Sequence, residues 1–135
     1  MQVLSFIASR FISEYENVAN AAIAHLLNGY QQARDSLKQI LNIKEIPQYF
    51  ELEVSTEENG RPDVTGFDIH GNKSVIIEGK FWANLTSNQP NNYLKELKSD
   101  GKILFLAPSK RIEALKNEIT KRAEKEKTDK IIIIS

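Results

Sequence analysis

A chain of 135 residues, 41% hydrophobic and 27% charged, is sized for one domain (1–135) with its own core, and its ordinary globular composition argues against disorder. The absence of cysteine excludes disulfides and thiolate-held zinc and fits a reducing cytoplasm, the expected location. Eighteen basic and eighteen acidic residues cancel to a formal net charge of +0, so attraction to nucleic acid, if any, must be local.

Met1 to Ile12 is apolar but carries Arg10 and lacks a basic leader; it is too short to span a bilayer, and no membrane association is expected. Ser13 and Glu16 have the spacing of a capping box, and Val18, Ala19, Ala22, Ile23, Leu26 and Leu27 recur at helical intervals behind them. Asn28-Gly29 ends or interrupts that helix, and residues 31–42 form a second helix or continue the first. Phe50 to Val54 alternates apolar and polar as a half-buried strand does, and Glu57 to Gly60 is a turn. Val64–Ile69 and Ser74–Ile77 read as two strands joined by a two-residue hairpin loop at Gly71-Asn72.

Gln89–Lys98 reads as a short helix and Lys102–Ala107 as a buried strand. Ile112, Leu115, Ile119 and Ala123 mark the inner face of a long helix, and Lys130–Ile134 is the last strand. The order helix, three strands, helix, strand, helix, strand predicts a mixed α/β sheet with flanking helices. Four isoleucines before Ser135 make a strand of the kind expected at the centre of a sheet. Its abrupt end suggests a domain cut from a longer protein, or a strand completed by a partner.

Chemistry concentrates at Pro62-Asp63 and, fifteen residues after the aspartate, Glu78-Gly79-Lys80. With the two-residue loop, His70 pairs with Lys73, so Asp63 falls opposite Lys80 and Thr65 opposite Glu78. All four side chains then share one face, with opposed Cβ atoms about 4.5–5.5 Å apart. Two carboxylates at that spacing, with the Gly79 carbonyl, suit Mg²⁺ or Mn²⁺, which take oxygen ligands. Lys80 can orient the attacking water or steady the negative charge that develops on a phosphodiester. Val75-Ile76-Ile77 before Glu78 and Phe81-Trp82 after Lys80 set these charges in a buried segment, where unpaired ions are costly.

These residues resemble the PD-(D/E)xK nuclease superfamily, the restriction-endonuclease-like group, and the element order matches that fold. Gln89-Pro90-Asn91-Asn92-Tyr93 is similar to the Gln-x-x-x-Tyr motif of the RecB-type and lambda-exonuclease-type branch. The resemblance implies a metal-dependent nuclease with Asp63, Glu78 and Lys80 catalytic and Gln89 and Tyr93 positioning substrate. Asp63, Glu78, the Gly79 carbonyl and Glu16 on the first helix would contact the metal. Spacing alone also allows a polar cap at Gln89 with a core Tyr93, and Glu16 as no more than a capping residue.

DNA is the expected substrate ahead of RNA. A module of a DNA-repair or phage-defence protein suits the abrupt end; a homodimer cutting branched DNA, as in Holliday-junction resolvases, is a second subtype. The alternatives are a non-catalytic nucleic-acid- or protein-binding module on the same fold, and an oligomerisation domain built on the isoleucine strand. Lys110, Arg111, Lys116, Lys121, Arg122, Lys125 and Lys127 offer local attraction to a polyanion, but Glu113, Glu118, Glu124 and Glu126 interleave with them. That pattern reads first as a solvated helix face with spaced ion pairs. His25 and His70 lack partner spacing and read as structural or solvent-facing, and Phe81 and Trp82 read as core or interface residues rather than base-stacking ones.

Overall fold

The computed structural model describes residues 16–52, 62–80, 85–86 and 89–135, with side chains in the first helix described from Asn20 onward. Its elements are α1 (Glu16–Gly29), α2 (Gln31–Leu41), β1 (Tyr49–Leu52), β2 (Val64–Phe67), β3 (Lys73–Gly79), α3 (Asn91–Glu96), β4 (Lys102–Leu106), α4 (Ser109–Arg122), a 3₁₀ turn (Lys125–Lys130) and β5 (Ile131–Ile134). The strands form one mixed sheet in the order β1-β2-β3-β4-β5. β1, β2 and β3 are antiparallel neighbours, whereas β3, β4 and β5 run parallel. The fold is therefore α/β, with the predicted order of elements.

Each face of the sheet carries a separate core. On one face Ile23 and Leu27 of α1 and Ala33, Leu37 and Leu41 of α2 pack on Phe50, Val64, Val75, Ile77, Leu104 and Leu106. On the other, Tyr93 and Leu94 of α3 and Leu115 and Ile119 of α4 pack on Ile76, Ile103 and Phe105. The alternation along β3 and β4 sends successive side chains to opposite cores. α1 and α2 are separate helices because Tyr30 is extended (φ −130°, ψ 125°), and Asn42 closes α2 in the left-handed conformation that asparagine tolerates.

Two expectations about the strands are corrected. The link from β2 to β3 is a five-residue turn over 68–72, not a two-residue loop. Asp68 stops β2 because its Oδ1 accepts both the His70 and the Asn72 N–H, each at 2.9 Å, and Gly71 supplies the positive φ of 80° that the turn needs. Val64 therefore faces Ile77 and Thr65 faces Ile76, with a bulge between Gly66 and Phe67. Gly66 has no room for a side chain: a Cβ there would lie 2.7 Å from Pro47 Cγ and 2.8 Å from Phe50 Cε1. The isoleucine strand is the second correction. β5 sits beside β4 at the end of the sheet order, not at its centre. It is apolar on both sides because Ile132 and Ile134 join one core while Ile131 and Ile133 join the other.

Among the described residues no helix is long and apolar enough to cross a membrane.

Candidate functional site

The observed register moves Asp63 from opposite Lys80 to opposite Glu78, one residue beyond the Val64–Ile77 pair. The shift is even, so the parity that assigns faces survives, and Asp63, Thr65, Glu78 and Lys80 remain on one side of the sheet. The acidic pair is closely interlocked. Asp63 N–H donates to Glu78 Oε2 at 3.1 Å, and Gly79 N–H donates to Asp63 Oδ2 at 2.8 Å. Lys80 Nζ stands 3.4 Å from Glu78 Oε1. Lys80 is fixed by its backbone, whose N–H donates to Leu106 O at 2.8 Å where β3 leaves the sheet beside β4.

Gln89 and Tyr93 reach the same carboxylate. Gln89 Nε2 donates to Glu78 Oε1 at 3.3 Å and to the Tyr93 hydroxyl at 3.0 Å. Thr86 N–H donates to Gln89 Oε1 at 3.1 Å, which fixes which end of the amide faces Glu78. Gln89 lies outside α3, two residues before its start, and Tyr93 is the third residue of the helix, so the two side chains meet without sharing the helix face that their spacing predicted. The five predicted residues Asp63, Glu78, Lys80, Gln89 and Tyr93 thus form one connected cluster. Glu16 opens α1, but its side chain lies outside the described residues, as do Ser13, Phe81 and Trp82. His25 and His70 are exposed, as expected.

Burial makes this cluster electrostatically unusual. Glu78, Lys80 and Gln89 are 5%, 4% and 6% exposed. Two carboxylates against one ammonium leave one net negative charge when all are ionised. Loss of water pushes the Glu78 carboxyl up to about 7, and the neighbouring Asp63 carboxylate adds to the rise, while Lys80 and the Asp63 N–H oppose it. Burial, then Glu78, also raises Tyr93, which keeps its phenolic proton at neutral pH. A buried excess of negative charge with oxygen donors suits a hard divalent cation, which commonly binds one or two carboxylates and keeps several waters. Asp63, Glu78 and the Gly79 backbone are the donors in reach; among the described residues no group of three or more His, Cys, Asp or Glu side chains converges.

Sequence reasoning missed the residues that brace the cluster from α4. Arg111 Nη1 donates to Lys80 O at 2.9 Å, and Arg122 Nη1 donates to Gln89 O at 2.9 Å and to Thr86 O. Asn91 Nδ2 returns a bond to Arg122 O at 3.0 Å. The one signal available was the spacing of Arg111 and Arg122, eleven residues apart and so on one helix face. Thr65 was placed on the correct face, and its buried hydroxyl has no hydrogen-bond partner.

A cleft of about 660 Å³ lies at the opposite end of the sheet, lined in part by Ser74, Lys98, Asp100, Lys102 and Lys130. It is larger than the space beside Arg111 and Arg122, but its lining mixes charges of both signs. Convergent, desolvated groups mark a reactive site better than volume does. Compared with protein-family models, curated proteins and solved structures, the chain matches none.

Proposed function

We propose that this protein is a metal-dependent nuclease with a restriction-endonuclease-like core, hydrolysing phosphodiester bonds in DNA ahead of RNA. The observation that carries the reading is the buried cluster of Asp63, Glu78 and Lys80, two acids and a lysine interlocked within hydrogen-bonding or ion-pair distance. A structural ion pair does not need a second, half-buried carboxylate set against the buried one. A polyanionic substrate reacting through a bound cation does.

Asp63 and Glu78 would hold Mg²⁺ or Mn²⁺, with the Gly79 carbonyl as a backbone ligand and Glu16 as a further contact from α1. The chemistry the cation supplies when bound is polarisation of a phosphoryl oxygen and a lowered pKa for water. Gly79 N–H keeps Asp63 in place, so the carboxylate needs little reordering. Lys80 Nζ, beside Glu78, stabilises negative charge as it develops on the phosphoryl group. Gln89, held by Thr86 and by Tyr93, keeps Glu78 oriented. A soluble cytoplasmic setting and a nucleic-acid partner accompany this reading.

The test is cleavage of supercoiled, linear and single-stranded DNA with Mg²⁺, Mn²⁺ or EDTA, beside folded Asp63→Ala and Lys80→Ala variants. Metal-dependent cutting by the wild type, lost in both variants, is the expected result. Cutting that persists in either variant, or in EDTA, excludes this chemistry.

A further inference from the structure

We propose that the outer edge of β5 is an interface and that its partner is a second copy of this chain, joined β5 to β5 in antiparallel fashion. The inference does not rest on the nuclease reading, because β4 separates this strand from β3.

The two edges of the sheet differ. The β1 edge is already occupied: Asn28 Nδ2 of α1 donates to Phe50 O at 2.9 Å, and Phe50 N–H donates to Asn28 Oδ1 at 2.8 Å. One side chain thus takes the place of a pairing strand, and β1 also carries the exposed Glu51. Both features keep a sheet from extending. Within β5 there is no charge, proline or glycine to do the same.

Backbone direction along β5 follows from one bond. Ile134 O accepts the Ala107 N–H at 3.1 Å, so Ile134 turns its polar groups toward β4. Successive residues alternate sides, so Ile132 does likewise, while the Ile133 N–H and C=O and the Ile131 C=O point outward. Among the described residues these outward groups have no partner.

The side chains select the occupant. Each isoleucine of β5 stays partly exposed, whereas Ile76, Ile77, Ile103 and Leu104 in the central strands are 0–1% exposed. Ile131 and Ile133 pack on one core and Ile132 and Ile134 on the other, so a strand added beside them must be apolar on both faces. Among the described strands only β5 is apolar at every position, and a second β5 is the complement that the chain itself supplies. A two-fold axis at Ile133 lets its N–H donate to the carbonyl of the partner's Ile133 and its own carbonyl accept the same bond in return, with Cα atoms about 5.5 Å apart. The pairing is isologous, and the occupied β1 edge stops further addition, so assembly closes at a dimer.

The chain has no cysteine, so a single introduced one reports the contact. Ile133→Cys sets two thiols at a Cα separation within the roughly 4.4–6.8 Å that a disulfide spans. Mild oxidation of the full chain should link Ile133→Cys into a covalent dimer at least about tenfold faster than Gln32→Cys, whose position is exposed on α2. Light scattering over a concentration series should give the wild type twice the mass of one chain. Ile133→Lys, which opposes like charges, should raise the dissociation constant at least about tenfold. Cysteine keeps a small apolar side chain at 133, so the cross-linking result holds even where Ile133→Lys fails to fold. A wild type that stays monomeric into the millimolar range leaves the edge to some other strand and overturns the proposal. Cross-linking at 133 no faster than at 32, or growth beyond the dimer, overturns it equally.

Discussion

The two ends of β3 carry the same kinds of charge in opposite electrostatic states. At the start of the strand, Lys73 pairs with Glu96 and Lys98 pairs with Asp68, each at 3.1 Å, with side chains 15–28% exposed. Asp68 lies below the usual carboxylate range, chiefly because it accepts the Asn72 N–H and then because of Lys98 and His70. At the far end Glu78 is raised to about 7 although Lys80 is 3.4 Å away. The ion pairs are alike in distance, so distance does not decide the outcome. Burial and a second carboxylate do: Glu78 is 5% exposed and has Asp63 beside it. One end holds its charges as partly exposed ion pairs, and the other holds a carboxylate out of water beside a second one.

The largest effect expected from this contrast is on activity. Lys80→Ala and Asp63→Ala should each lower metal-dependent cleavage by at least about 10²–10³-fold, whereas Lys98→Ala should leave the rate unchanged. Gel assays at fixed Mg²⁺ measure both. Equal losses at the two ends would dissolve the distinction between them.

Stability should differ next. Removing Lys80 strands a buried Glu78, which then protonates, at a cost of about 1–2 kcal/mol near pH 8. The cost should shrink as pH falls, because a protonated Glu78 needs no partner. Removing Lys98 from its partly exposed pair should cost at most about 1 kcal/mol. Urea titrations of both variants at pH 8 and pH 6 give the comparison.

A smaller effect is expected from pH and chelation. Glu78 has a folded pKa of about 7, above its ordinary value of 4.5, so between those values the folded state binds more protons than the unfolded one. Its contribution to stability is therefore greatest below about 4.5 and is lost as pH rises through about 7. Asp68, lowered by folding, has the opposite sign: its contribution is present above its unfolded value and is lost in acid. Cation binding must displace the Glu78 proton, so added Mg²⁺ should raise Tm more at pH 8 than at pH 6, and EDTA should cancel the difference. Thermal melts that respond equally at both pH values would separate Glu78 from the metal.

Much of this was legible in the sequence, for local reasons. Pro62-Asp63, Glu78-Gly79-Lys80 and Gln89 with Tyr93 are short motifs whose residues the fold joins into one cluster. The face assignment survived a wrong register because the slip was even, set by a turn that Asp68 closes at five residues rather than two. The position of β5 was misread because four isoleucines signal burial on both faces, and flanking helices provide that at a sheet edge as well as at its centre. Arg111 and Arg122 went unrecognised because their partners are backbone carbonyls, which leave no mark in a sequence.

The most direct test is a Mn²⁺ titration of the chelator-stripped protein at pH 8, followed by calorimetry or by loss of the free-ion paramagnetic resonance signal. Wild type should bind the ion, Asp63→Asn and Glu78→Gln should bind it at least about tenfold more weakly, and Asp68→Asn should match wild type. Wild-type affinity in the Asp63 and Glu78 variants, or a loss confined to Asp68→Asn, would contradict the account.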